Sequence, residues 1–293
     1  MATRLMPVLL AALLLAAPAL AQDTPAAGPD EKTLLKDFDK AFKAREAPAR
    51  AAAVTALGEL SRQLPDGGRS KALAKALAKA LGDDDLEVQS AGVAQLAWGR
   101  DVETALPALG EHVEVVRKAV EQRITNPSEE AKAYVNRATR LFGDTCTALA
   151  NHRDDRAVAT LAAIIQRLQS VTEDNDTSTR LIGRIAEPLL ALGTHDAVRA
   201  CVRQTQEYAQ MDGFQEAAAK ELHRVLAIFA TREGKAPPDY DQTYYVKWDN
   251  WFEKHASSFP KKLGKLKEPP PEPARDDPGR QGEQPADGGP AAR

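Results

Sequence analysis

Eleven segments between Glu31 and about His255 place an apolar residue every three to four positions, with short polar joins between them. That period belongs to the amphipathic helix; a half-buried strand alternates every second residue. KALAKALAKAL (71–81) is the plainest case. Leu73, Leu77 and Leu81 repeat every four residues, and so do Lys71, Lys75 and Lys79. An offset of two residues is about 200° around a helix, so the two stripes lie on opposite faces. The Leu stripe needs a partner to bury it, and the Lys stripe is a solvated face. Ala, Leu, Glu, Lys and Arg dominate this region, and they lose little rotamer freedom in a helix. The fold class is therefore all-α, with no convincing strand.

The joins are short: LPDGG (64–68), GDDD (82–85), NHRDD (151–155) and GTHD (193–196) are typical. Connections this short make successive helices antiparallel. Second helices of a pair are expected to begin near Pro48, Leu86, Ser128, Thr177 and Phe214, at spacings of 38, 42, 49 and 37 residues. Pro48 suits a first helical turn, which has no amide bond to lose, and Pro188 should kink its helix. A two-helix unit recurring about every 40 residues predicts an α-α superhelix of about five pairs over residues 31–232.

Residues 80–96 resemble a HEAT repeat: the apolar pair Ala80-Leu81, the acidic turn Asp83–Asp85, then Val88-Gln89, Ala91-Gly92 and Leu96. Gln89 stands where the family carries Arg. Leu192-Gly193, Asp196 and Ala197-Val198 repeat the join, and residues 149–161 are a looser copy. The resemblance implies stacked helix pairs whose concave surface takes a protein or peptide partner.

The ends differ in kind. Residues 1–21 carry Arg4, a short uncharged apolar run and Ala19-Leu20-Ala21, the pattern of a secretory signal peptide cut before Gln22. A short linker (22–30) follows. The run is too short to favour a membrane span, so no transmembrane span is expected after cleavage, and the chain should be periplasmic or extracellular. Residues 233–260 concentrate Tyr244, Tyr245, Trp248, Trp251, Phe252 and Phe259. Tyr245, Trp248 and Phe252 share a face at helical spacing. The favoured expectation is a closing helix that seals the last repeat; the sharper alternative makes Tyr245, Trp248, Trp251 and Phe252 a partner-binding patch. Residues 261–293 are basic at first (KKLGKLK), then rich in Pro and Gly, and read as disordered.

No pattern of chemistry emerges. The five histidines lack zinc-motif spacing. Asp83 to Asp85 fails as a calcium loop because Val88 and Ala94 occupy the places of its Gly and Glu; these aspartates suit helix capping instead. There is no nucleophile elbow and no phosphate loop. A net charge of -3, or -4 without Arg4, gives no case for nucleic acid. Cys146 and Cys201 lie on apolar stripes two helix pairs apart, too far for a disulfide. No catalytic residue, cofactor or metal is expected. The leading expectation is an exported, non-enzymatic scaffold for an unidentified protein partner. The alternatives are a tether acting through the basic tail, and a ligand-binding or enzymatic module built where turns 151–155 and 193–196 converge.

Overall fold

The computed structural model describes residues 30–98, 100–124, 126, 128–168, 175–209 and 216–264. Residues 1–21 and the tail from residue 265 on, where export and disorder are expected, lie outside them. The described residues form eleven α-helices and no strand: α1 (Glu31–Ala41), α2 (Ala47–Ser61), α3 (Lys71–Lys79), α4 (Leu86–Leu96), α5 (Val102–Glu121), α6 (Glu129–Asn151), α7 (Asp155–Arg167), α8 (Asn175–Ala191), α9 (His195–Ala209), α10 (Glu216–Arg232) and α11 (Tyr244–His255). The second helices start within two residues of the positions expected at Pro48, Leu86, Ser128, Thr177 and Phe214. Helix α8 continues through Pro188 as one element.

The chain divides into two compact units, one through Ala105 and one from Leu106, with the boundary inside α5. It falls within the stretch that the sequence reads as one array. In the first unit α2 packs on α4, α1 packs on α2 and α3, and α3 packs on α4. The Leu stripe of α3 is buried, and its lysines are exposed. In the second unit the even helices stack as α6–α8–α10 and the odd helices as α7–α9–α11. Helices of the two layers also pack on each other, α6 on α7, α7 on α8, α8 on α9 and α9 on α10. Each unit is thus built as stacked antiparallel helix pairs with the apolar stripes between the layers.

Polar side chains set the helix starts. Asp30, Ser70, Asp85, Ser128 and Asp154 each accept a hydrogen bond from a free amide of the first turn, at 2.8–3.1 Å. This satisfies donors that the helix leaves open. The aspartates of the opening turn divide their work. Asp85 caps α4, while Asp83 takes a bidentate ion pair from Arg50 of α2, at 2.7 and 2.8 Å. Gln89 reaches back to the Asp83 carbonyl at 2.5 Å.

A buried cation holds the first unit together. Arg100 is 3% exposed and donates to the carbonyls of Gln95, Gly68 and Gly58 and to the Ser61 hydroxyl. Burial pushes its pKa down to about 10, which leaves it charged at neutral pH. Gly68, at φ 74°, has to be glycine twice over: its backbone is left-handed, and a Cβ there would strike the Arg100 guanidinium and Ser61.

Candidate functional site

Glycines on the even helices let long polar side chains of the next even helix lie flat. A Cβ at Gly143 of α6 would come 2.8 Å from Cδ of Arg184 in α8, and one at Gly183 of α8 would come 2.5 Å from a carboxylate oxygen of Glu221 in α10. Gln95 of α4 crosses Gly58 of α2 in the same way in the first unit. The even face of the second unit carries open grooves on both sides of α8, and Gly143 lines the one toward α6.

The groove between α6 and α8 holds about 300 Å³ and is lined by Gly143, Asp144, Thr147, Arg184, Glu187 and Pro188, among others. The groove between α8 and α10 holds about 220 Å³ and is lined by Glu187, Leu190, Val225, Ile228, Phe229 and Arg232. Glu187 belongs to both. It accepts from Arg224 at 3.2 Å, and Arg224 is also paired with Glu221 at 2.7 Å. The Glu221 hydrogen bond is the main reason the Arg224 guanidinium is held above its ordinary pKa. Arg232 lies over the Phe229 ring at 5.6 Å, and Ile228 is 56% exposed. These grooves combine an apolar floor with charged rims.

The four aromatic candidates fall elsewhere. Trp248, Trp251 and Phe252 are 0%, 7% and 1% exposed, and Tyr245 is half-buried. The buried stripe of α11 is Tyr244, Trp248, Trp251 and Phe252; Tyr245 stands one position off it. Helix α11 packs on α9. The Trp248 indole donates to His223 of α10, the Trp251 indole to the Ala236 carbonyl and the Tyr244 hydroxyl to the Thr205 carbonyl. Phe259 turns back against Phe229, Trp251 and Phe252. These rings are the interior of a cap, and of the four candidates only Tyr245 is part-exposed.

The turns 151–155 and 193–196 do come together in part. Asp155, Thr194 and Asp196 line a groove of about 340 Å³ with Val158, Lys261 and Lys262. His195 Nδ1 lies 3.0 Å from an Asp196 carboxylate oxygen, and its ring packs against Phe252. The Thr194 hydroxyl accepts from the Ala197 amide, which gives it a capping role. Cys146 and Cys201 are free and buried, and burial raises both thiol pKa values, which suppresses the reactive thiolate. Among the described residues, no group of three or more His, Cys, Asp or Glu side chains is placed to hold a metal ion, and no helix is long and apolar enough to cross a membrane.

The even-face grooves had no sequence signal of their own. Gly143 and Arg184 are 41 residues apart, and only the helix-pair period, applied to a glycine and a long polar residue, points from one to the other. No family model matches the chain, and no curated protein matches it. Among solved structures it is similar to the crystal structure of an engineered protein, with 17% identity, 69% of this chain and 98% of that chain covered, and a TM-score of 0.23.

Proposed function

We propose that the protein is an exported, non-enzymatic scaffold of HEAT-like helix pairs that binds a protein or peptide partner on the even-helix face of its second unit. The observation that carries this is the pair of open grooves flanking α8, which share Glu187 and place exposed Ile228 beside charged rims. A mixed surface of this kind is typical of non-obligate protein interfaces, in which an apolar centre sits inside a polar rim. The signal-peptide pattern of residues 1–21 supports a site of action outside the cytoplasm.

The test is affinity purification of residues 22–293 from the envelope of the cells that make the protein, in parallel with a chain carrying Arg184→Glu and Ile228→Asp. A protein recovered with the unaltered chain and lost with the altered one supports the reading. Equal recovery by both chains, or turnover of a small substrate with no protein recovered, contradicts it.

A further inference from the structure

In the second unit one segment of the chain itself docks across two helix starts. After α11, residues 259–263 cross the starts of α9 and α7. The His195 amide, at the first residue of α9, donates to the Pro260 carbonyl at 2.9 Å. The Asp155 carboxylate, at the first residue of α7, accepts from the Leu263 amide at 2.9 Å. Lys261 and Lys262 lie between these two bonds, and the chain bends at both. The segment therefore reaches from the start of α9 to the start of α7 within four residues.

Between the two bonds, Lys261 and Lys262 line the same groove as Asp155 and Asp196. Opposite charge thus accompanies the backbone bonds. The groove floor of Val158, Ala159 and Ala162 stays open, with about 340 Å³ unfilled. Pro260, Lys261 and Lys262 are exposed, and Phe259 is the deep anchor at 5% exposure. Beyond the buried Phe259, the segment is held by one backbone bond and one bond to the Asp155 carboxylate, with solvated charges over an unfilled groove; few buried contacts of this kind mark a segment of low local stability.

We infer that the starts of α7 and α9 form a docking surface for a peptide with consecutive lysines, and that Pro260–Leu263 is its resident occupant. This surface lies on the odd-helix layer and does not depend on the even-face grooves.

The test uses the full chain and a fluorescein-labelled peptide with the sequence of residues 255–264 (HASSFPKKLG), read by fluorescence polarisation. Lys261→Glu with Lys262→Glu unseats the resident segment by charge repulsion and alters only exposed positions. That variant is expected to bind the peptide at least tenfold more tightly than the unaltered chain, and adding Asp155→Asn and Asp196→Asn is expected to abolish the gain. Equal binding by the unaltered and strap-reversed chains, no binding by either, or binding that survives loss of the two aspartates overturns the inference. Hydrogen exchange on the unaltered chain is a second readout. The Leu263 amide is expected to be protected, and excess unlabelled peptide to accelerate its exchange; exchange at the free-peptide rate without competitor overturns the inference.

Discussion

The indole N–H of Trp248 donates to Nδ1 of His223 at 3.0 Å, tying the cap helix α11 to α10. An accepting Nδ1 carries no proton, so this bond requires that nitrogen to be bare. Burial lowers the His223 pKa, and the neighbouring Asp239 opposes the shift without reversing it. The Tyr240 ring meets the imidazole edge-on at 5.0 Å. A histidine whose folded pKa is depressed favours folding fully above its unfolded value of about 6.5 and loses that contribution as pH falls below it, because the unfolded chain takes up the proton first. Stability of the unaltered chain should fall between pH 7.5 and pH 5.5 in urea titrations. His223→Gln, which keeps an acceptor and cannot titrate, should flatten that slope. Trp248→Ala should destabilise by about 3–5 kcal/mol.

Arg100 is a helix staple with neutral acceptors throughout. Three carbonyls and one hydroxyl from α2, α4 and the join after α2 converge on one guanidinium. Arg100→Met leaves these acceptors buried and unsatisfied and should cost about 3 kcal/mol. Arg100→Lys keeps the charge and loses the planar fork, so it should cost about 2 kcal/mol. Urea midpoints of the two variants measure both.

Arg50 and Asp83 connect α2 to the turn before α4, with side chains 17% and 8% exposed. The Arg50 hydrogen bonds hold the Asp83 carboxyl below its ordinary pKa. A depressed carboxylate contributes stability above its unfolded pKa of about 3.9 and loses it as pH falls through the folded value. Asp83→Asn should therefore destabilise at pH 7, and the gap to the unaltered chain should narrow toward pH 3. A gap that is constant with pH would place the effect elsewhere.

Two joins share one backbone. Arg153, at φ 48°, precedes the cap Asp154 of α7, and Gly193, at φ 64°, precedes the cap Thr194 of α9. The left-handed conformation suits glycine and strains other residues. Arg153→Gly should raise stability by about 0.5–1 kcal/mol, and Gly193→Ala should lower it by about 1 kcal/mol. Thermal unfolding of the two variants should shift in opposite directions.

What was legible in the sequence was local. The stripe of α3, the caps Asp85 and Ser128 and the pairing of short joins all follow from residues within one or two helical turns of each other. The aromatic cap was legible as an element but off by one residue: Tyr245 and Tyr244 both sit at helical spacing from Trp248, and only packing on α9 selects Tyr244. Arg100 gave no warning, because its acceptors Gly58, Ser61 and Gly68 lie 32 to 42 residues away. The grooves beside α8 were hidden for the same reason, since their walls come from different helices: Gly143 with Arg184 on one side, Glu187 with Phe229 on the other.

Site-specific photo-crosslinking in the cells that make the protein tests the central claim most directly. A photoreactive residue would replace Thr147 or Ile228 on the even face, or the exposed Val246 on the cap, 44% accessible. One adduct of the same size at positions 147 and 228, and none at 246, is the predicted result. An adduct at 246 alone, or none at 147 and 228, would contradict the assignment of the partner surface to the even-helix face.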